Sequence, residues 1–291
     1  MILITGAAGK TGLAVLKALL RRDFAVRALV RRSEQAAVLQ EIGAADTLIG
    51  DMTDTESIKR AMKGIKAVYH ICPNMHPAET EIGRMTIDVA RQCGVEHFVY
   101  HSVLHPQTEK MPHHWQKLLV EEMLFESALD FTILQPAPYM QNILAARASI
   151  ITEGFYRVPY PVNTCLSLVD LEDLAEAVAV IFNDSGHKRA VYEIVGTAGQ
   201  TQSEVATIIG STLKRSVIAE EIPADSWQRQ AQEAGMHSYQ VETLVKMFHY
   251  YALFGLQGNS NMLRWLIGRE PHSLTDFLQR EFINYLPTNP L

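Results

Sequence analysis

The first twelve residues constrain the fold more than any other part of the chain. An apolar run at 1–5 is followed by Gly6, Gly9 and Gly12, and a leucine-rich helical pattern begins directly afterwards. A strand that ends in a glycine turn and continues into a helix forms a phosphate site, because the first helical N–H groups and the helix dipole attract an anion. Gly6 permits the turn, Gly9 removes a Cβ from the path of the anion, and Gly12 allows close helix packing. We therefore expect a dinucleotide-binding βαβ unit. A P-loop is excluded because it needs a glycine where Ile4 stands.

Strand-like and helical segments alternate through the first half of the chain. Apolar strand patterns lie at 1–5, 25–30, 46–49, 67–71, 97–102 and 131–134, and helical patterns lie at 10–22, 34–42, 54–63, 79–93 and 113–128. Such alternation requires right-handed crossovers and a parallel sheet covered on both faces. We predict an α/β fold with a Rossmann-type doubly wound parallel sheet. Its functional residues should follow the carboxyl ends of the strands.

The pattern loosens in the second half. A helix at 170–183, a strand at 190–195 and a helix at 201–213 precede a mostly helical region at 223–285, which breaks at 255–258 and 268–271. We expect residues 1–150 to form an NAD(P)-binding domain. Residues 151–291 should form a smaller, mostly helical substrate lobe that packs on it and is not an independent domain.

Composition excludes several classes of protein. A hydrophobic fraction of 47% is too high for a disordered chain, and no apolar run reaches the roughly 18 residues of a membrane span. No basic leader precedes the first strand, so we expect no signal peptide. The net charge of -6 without a basic stripe argues against nucleic acid as a direct partner. Three scattered cysteines favour free thiols in the cytoplasm.

The motifs of this chain resemble those of the NmrA-like branch of the atypical short-chain dehydrogenases/reductases. The resemblance extends over nearly the whole length and rests on the segments 5–12, 26–31, 50–51, 99–103, 134–142 and 268–271. The Pro-x-x-Tyr-Met-x-Asn stretch at 136–142 and the Gly-Arg-x-Pro sequence at 268–271 narrow it to this branch. The resemblance implies a Rossmann-type domain, NAD(P) binding and a small substrate lobe. The family contains both reductases and regulators that sense redox state by binding the cofactor without turnover.

The residues after the second strand indicate which cofactor is preferred. NAD sites place an acidic residue there to bind the ribose 2′-hydroxyl, whereas this chain has Arg31 and Arg32. A guanidinium matches a 2′-phosphate through charge-assisted hydrogen bonds, and Lys10 adds a second positive charge. We therefore predict that NADPH is preferred over NADH.

Other cofactor contacts follow from the position of residues in the pattern and from the resemblance. Asp51 and Met52 resemble the family's adenine contact, and the backbone at Pro136 and Tyr139 resembles its clamp on the nicotinamide carboxamide. The full set of predicted cofactor contacts is Gly6, Ala8, Gly9, Lys10, Thr11, Gly12, Arg31, Asp51, Met52, Ile71, Cys72, Lys117, Pro136 and Tyr139. Cys72 is expected to be a small buried residue and not a nucleophile.

The catalytic pattern departs from that of the superfamily. Tyrosine-dependent members use Tyr-x-x-x-Lys, in which lysine binds the nicotinamide ribose and lowers the tyrosine pKa. Lys117 matches the lysine, His113 stands at the tyrosine position, and Tyr100 is out of register. Either His113, neutral or protonated, donates the proton, or hydride goes to an acceptor that water protonates. His113 could equally be a surface residue at the start of the helix, without a catalytic role. Ser102 matches the superfamily serine and either holds a substrate oxygen or bonds local backbone.

Four histidines, at positions 101, 105, 113 and 114, raise the question of a metal. A zinc site needs three or four convergent ligands, and no cysteine or carboxylate lies beside His101 and His105, which straddle a strand end, so we expect no metal.

The sequence favours an NADPH-dependent reductase of a small, largely apolar substrate such as a quinone or enone. The alternative is an NADP(H)-binding redox sensor that acts through a regulatory protein partner without turnover. An epimerase or dehydratase is disfavoured because the tyrosine is missing.

Overall fold

The structure is a computed structural model that describes residues 1–283. In chain order, the strands within this range are β1 (Ile2–Ile4), β2 (Val26–Val30), β3 (Asp46–Ile49), β4 (Ala67–His70), β5 (His97–His101), β6 (Phe131–Pro136), β7 (Phe155–Val158), β8 (Cys165–Leu166), β9 (Ala190–Ile194), β10 (Gln200–Thr201) and β11 (Ile218–Glu221).

Twelve α-helices lie within residues 1–283. They are α1 (Lys10–Leu20), α2 (Ser33–Ile42), α3 (Thr55–Met62), α4 (Glu79–Gln92), α5 (Pro112–Glu126), α6 (Arg147–Thr152), α7 (Leu171–Asn183), α8 (Gln202–Leu213), α9 (Ala224–Glu233), α10 (Ser238–Phe254), α11 (Asn261–Ile267) and α12 (Leu274–Leu278). A 3-10 helix spans Met140–Ala146, and a π-helical turn spans Gln279–Ile283. None of the helices in the described range is both long and apolar enough to cross a membrane. The cytoplasmic location stays a prediction.

Seven strands form one parallel sheet in the order β3-β2-β1-β4-β5-β6-β9. The strand order reverses between β1 and β4, so right-handed crossovers send α1 and α2 to one face and α4 and α5 to the other. This arrangement confirms the predicted α/β Rossmann-type fold. Every residue of β1 and β5 is buried, and β1 is apolar throughout, whereas β5 has a histidine at each end.

Helices α4 and α5 pack closely on their face of the sheet. A Cβ on Gly83 of α4 would lie 2.5 Å from Cγ2 of Val120 on α5, so only glycine fits this contact without a shift. The core on this side contains the fully buried side chains Ile58, Met62, Phe98 and Tyr100. The close packing of α4 and α5 therefore fixes the position of the α5 side chains relative to the carboxyl ends of the strands.

The chain divides into two compact units, Met1–Pro136 with Leu174–Ile194, and Ala137–Asp173 with the residues from Val195 onward. The first unit is therefore discontinuous in sequence, because most of α7 and all of β9 belong to it. The prediction of a cofactor domain at 1–150 and a substrate lobe at 151–291 stays a prediction about function.

The second unit contains most of the remaining helices and two small sheets. Strand β7 pairs in parallel with β11, and β8 pairs antiparallel with β10. Both predicted breaks occur, since α10 ends at Phe254 and α11 ends at Ile267. A further break between α9 and α10 was not expected; there Gly235 adopts a φ of +80°. Glycine tolerates this left-handed conformation at little cost.

Candidate functional site

The carboxyl ends of the parallel strands bring the predicted segments of the first unit to one edge of the sheet. The glycine turn follows β1, Arg31 follows β2, Asp51 lies just beyond β3, Ile71 follows β4, and Ser102 follows β5. Pro136 is the last residue of β6. Segments far apart in sequence therefore share the edge at which doubly wound sheets bind ligands.

The glycine turn has the geometry that its spacing predicts. Gly6 has a φ of +61°, and its carbonyl accepts a hydrogen bond of 3.0 Å from the Gly9 N–H. A Cβ on Gly12 would lie 2.4 Å from the Gly6 carbonyl oxygen and 2.7 Å from Cα of Ala7. Glycine at position 12 therefore allows α1 to begin directly against the turn, and backbone atoms leave no room for a larger residue.

The start of α1 is suited to an anion. Gly9 is the N-cap, no side chain accepts a hydrogen bond at this cap, and the first turn contains no acidic residue. Ala8, Gly9 and Lys10 are exposed, and Thr11 is half-buried. Uncapped N–H groups and the positive end of the helix dipole fit the pyrophosphate of a dinucleotide.

Hydrogen bonds hold the chain after β4 beside this turn. The Ile71 N–H donates to the Thr5 hydroxyl at 2.8 Å, and this hydroxyl also lies 3.0 Å from Nδ1 of His70. A Cβ on Gly6 would lie 3.1 Å from the Ile71 carbonyl oxygen. Ile71 therefore flanks the glycine turn, and its contact with a cofactor stays a prediction. Cys72 is buried, and burial raises the pKa of its thiol, which disfavours a nucleophilic role.

Arg31 is exposed at the end of β2, and the charge of Arg31 contributes to the lowered pKa of Asp51. The main cause of that shift is the pair of 2.8 Å hydrogen bonds that Asp51 accepts from the Thr53 N–H and hydroxyl. Asp54, and not Asp51, caps α3 through the Ser57 N–H at 2.9 Å. Asp51 is thus not needed as the helix cap.

Met52 is half-buried and packs against the core beside α3. Its predicted contact with the adenine ring stays a prediction.

Lys117 lies at the centre of a buried polar cluster. Its Nζ donates to Oε1 of Glu79 at 2.8 Å and to the carbonyl oxygen of His101 at 3.2 Å. It also lies 5.4 Å from the centroid of the Tyr100 ring, whose hydroxyl donates to Glu79 at 3.0 Å. Tyr100 is fully buried, and burial raises the pKa of its hydroxyl well above the ordinary value. Tyr100 is therefore unsuited to replace the missing tyrosine.

His113 is buried in the first turn of α5. Burial lowers the pKa of His113 to about 2, with smaller contributions from His114 and Lys117. Its Nδ1 is buried and has no hydrogen-bond partner among the described residues. The imidazole is therefore neutral near physiological pH, which removes the protonated form from the possible proton donors.

Ser102 belongs to a second buried cluster. Its hydroxyl donates to Oε1 of Glu121, and the Gln135 amide donates to both carboxylate oxygens at 3.0 and 2.9 Å. Burial is the largest influence on Glu121 and raises the pKa of its carboxyl. The local-backbone role considered for Ser102 is thus replaced by a contact with a distant side chain.

Pro136 and Tyr139 fall into different units. The Pro136 carbonyl accepts from the Leu104 N–H at 2.9 Å, which joins β6 to the segment after β5. Tyr139 is half-buried in the second unit, where it forms an isolated bridge with Val169. The clamp on the nicotinamide stays a prediction.

Two of the four histidines considered for a metal have hydrogen-bond contacts of their own. Nδ1 of His101 lies 2.7 Å from the Tyr69 hydroxyl, and Nδ1 of His114 lies 3.1 Å from the His105 carbonyl oxygen.

In the second unit, Asp170, Glu172 and His272 come close enough to share an ion, but Arg280 pairs with both carboxylates, at 2.8 Å for Asp170 and 3.1 Å for Glu172. The absence of a metal stays a prediction.

Two buried carboxylates, Glu79 and Glu121, are absent from the predicted site. Glu121 follows Lys117 by four residues, so the helical period could have placed both on one face of α5. Glu79 is 38 residues from Lys117, and a glutamate in the first turn of a helix is ordinary in sequence terms. Only the packing of α4 against α5 brings it to Lys117.

Several known reductases resemble this chain. An NAD(P)H azoreductase from Xenophilus azovorans is 26% identical over 219 residues, which are 75% of this chain and 75% of that protein. Quinone oxidoreductase 2 of Escherichia coli K12 is 24% identical over 284 residues, which are 97% of this chain and 99% of that protein. The crystal structure of the Escherichia coli enzyme with NADPH has a TM-score of 0.85 and covers 97% of this chain and 100% of that one.

The triphenylmethane reductase of a Citrobacter species, solved with NADP(H), is 22% identical with a TM-score of 0.84 and covers 96% of this chain and 99% of that one. At these identities the solved structures support the fold alone. The sequence profile of the NmrA-like family matches residues 1–286. The chain therefore belongs to the NmrA-like family.

Proposed function

We propose that this protein is an NADPH-dependent reductase of small, flat, conjugated acceptors such as quinones or enones. The observation that carries the proposal is the uncapped start of α1 on a glycine turn, at the same sheet edge as Arg31 and Lys117. The named activities of the relatives support it, since azo, quinone and triphenylmethane compounds are all extended π-systems.

The preference for NADPH rests on charge at the end of β2. Arg31 is exposed, and Lys10 is exposed at the start of α1. A planar guanidinium binds a phosphate through two charge-assisted hydrogen bonds. The charge of Arg31 helps to lower the pKa of Asp51, but the Asp51 carboxylate accepts its two hydrogen bonds from Thr53.

The residues supply binding and orientation. NADPH, when bound, supplies a hydride. The N–H groups of α1 hold the pyrophosphate, and Lys117 offers its remaining N–H to the nicotinamide ribose, because an ammonium has three donors and two are engaged. The neutral His113 and the buried Tyr100 supply no strong acid, so in this proposal the proton that balances the hydride comes from solvent. This choice follows the second of the two accounts that the sequence left open.

A redox-sensing regulator is the second candidate. The same observation that removes a strong acid from the site, a neutral His113 with a buried Tyr100, favours a protein that binds NADP(H) without turnover.

Purified protein tests both candidates. Calorimetry measures the affinities for NADPH and NADH, and loss of NADPH absorbance is followed with benzoquinone, naphthoquinone, an enone and an azo dye. Acceptor-dependent oxidation of NADPH supports the reductase. Tight NADPH binding without oxidation by any acceptor supports the sensor, and no measurable binding of either nucleotide rejects both.

A further inference from the structure

Glu79 is a buried carboxylate whose partners all lie in the first unit. Its side chain is 4% exposed, and Oε1 accepts from Nζ of Lys117 and from the Tyr100 hydroxyl. Burial is the largest influence on Glu79 and raises its pKa, but Lys117, Tyr100 and Cys72 together lower the pKa below the ordinary value. Glu79 is therefore a carboxylate at neutral pH and the direct counter-charge of Lys117.

The two contacts of Lys117 restrict where its third N–H points. Glu79 and the His101 carbonyl oxygen take two of the three donors, at 2.8 and 3.2 Å. The Lys117 side chain is 14% exposed, so it is more accessible than the carboxylate that holds it. The Glu79 side chain on α4 thus orients the Lys117 side chain on α5.

Without the Glu79 carboxylate, the Lys117 ammonium would no longer be held in one orientation. A lysine side chain has many rotamers, and the one remaining hydrogen bond to His101 restricts them less than two contacts do. The loss of the carboxylate would also leave the ammonium buried without a counter-charge, which is unfavourable.

We propose that Glu79 is a positioning residue, which aims Lys117 at the nicotinamide ribose through their buried ion pair. The inference rests on the proposed function, because it requires that Lys117 contacts the cofactor. Glu79 itself touches neither cofactor nor acceptor in this role. Because the nicotinamide ribose is common to NADPH and NADH, Glu79 should affect the binding of both nucleotides equally.

A double-mutant cycle on cofactor affinity tests the proposal. We compare the wild type, Glu79→Gln, Lys117→Met and the double variant by calorimetry with NADPH and with NADH. We expect Glu79→Gln to weaken both nucleotides about tenfold, the size of one hydrogen bond to a charged group. In the Lys117→Met background the same change should have no effect on affinity. A merely structural role predicts the same loss in both backgrounds, which would overturn the proposal.

Matched variants separate this result from unfolding and from failure of the proposed function. Glu81→Gln removes an exposed carboxylate from the same helix and should bind like the wild type. If Lys117→Met does not fold, the test compares Glu79→Asp and Glu79→Gln with the wild type instead. Glu79→Asp keeps the charge but shortens the reach, so it should weaken binding like Glu79→Gln. Wild-type affinity of Glu79→Asp and Glu79→Gln would reject the positioning role while the proposed function stands, whereas a wild type that binds neither nucleotide rejects the proposed function.

Discussion

At the scale of single residues, the site combines exposed cations with buried, paired charges. Arg31 and Lys10 are exposed, whereas Lys117 is bound to Glu79 and Ser102 to Glu121. Exposed cations are free to meet an incoming anion, and buried pairs hold fixed geometry at the cost of desolvation. Substitutions of the exposed cations should therefore change binding alone, whereas substitutions in the buried pairs should also change stability.

Arg31 should distinguish the two nucleotides. Arg31→Ala is expected to weaken NADPH about tenfold to a hundredfold and to leave NADH nearly unchanged, because a charged hydrogen bond to phosphate contributes roughly 1.5–3 kcal/mol. Arg22→Ala, which removes an exposed arginine beyond the other end of α1, is the matched control. Equal wild-type affinities for the two nucleotides in calorimetry would contradict the role of Arg31.

The ionisation of Glu121 should affect stability in the direction opposite to that of a carboxylate in an ion pair, whose pKa is lowered. Its folded pKa is raised, so the folded state keeps the proton to higher pH than the unfolded state does. The contribution of Glu121 to stability is therefore present at low pH and is lost as pH rises through the raised pKa. Glu121→Gln should be at least as stable as the wild type at neutral pH, and the difference should vanish in acid.

Urea unfolding at neutral and at acidic pH measures this effect. The exposed neighbour Glu122→Gln should show the wild-type dependence on pH. Strong destabilisation of Glu121→Gln at neutral pH would mean that Ser102 and Gln135 need the full charge.

At the scale of elements, the glycines set how closely helices approach the turn and each other. Gly12 lets α1 start against the glycine turn, and Gly83 lets α4 approach Val120 on α5. Helix α4 begins with Glu79 and α5 carries Lys117, so this close pair of helices also brings together the ion pair of the candidate site.

The contact between α4 and α5 predicts that two substitutions, Gly83→Ala and Val120→Ala, have non-additive effects on stability. Gly83→Ala should destabilise the protein by about 1–3 kcal/mol, because the new methyl group would overlap the Val120 side chain. In the Val120→Ala background the same change should cost much less, because the methyl groups at 2.5 and 2.8 Å are gone and only the Cβ of residue 120 stays, at 3.2 Å. Thermal and urea unfolding measure both values. Equal losses in the two backgrounds would place the strain elsewhere.

At the scale of the whole molecule, neutral histidines are an unusual part of the interior. Five buried histidines have pKa values lowered chiefly by burial: His70, His97 and His114 to about 4, His101 to about 3 and His113 to about 2. The unfolded chain binds protons at these groups near the ordinary value of about 6.5, where the folded chain does not. Stability should therefore be complete above that pH and fall as pH decreases toward 4.

Acid unfolding followed by circular dichroism checks this expectation. One histidine whose pKa is lowered from 6.5 to about 4 reduces the free energy of unfolding by about 3 kcal/mol when the pH falls from neutral to the lower pKa. His97→Gln should reduce the acid sensitivity, because glutamine can still bond the Thr132 hydroxyl without taking a proton. His249→Gln, at an exposed position, is the control. A flat stability profile between about pH 6.5 and 4 would contradict buried neutral imidazoles.

Local pattern was sufficient for most elements and for the glycine turn. The predicted helix at 79–93 is α4 (Glu79–Gln92), and the predicted strand at 46–49 is β3. These predictions succeed because apolar period and glycine conformation act over a few residues. Arg31 was placed for the same reason, since its position after β2 follows from the strand alone.

Only the tertiary structure decided which charges are paired and which strand completes the sheet. The sequence alone did not indicate that β9 would join β6, that Glu79 would meet Lys117, or that His113 would be buried and neutral. Each outcome depends on contacts between distant segments and on the loss of water around a group. The spacing of neighbouring residues in the sequence predicts neither of these. The sequence by itself thus determined the order of elements and the cofactor turn, whereas packing determined the protonation states and the partners of the residues around it.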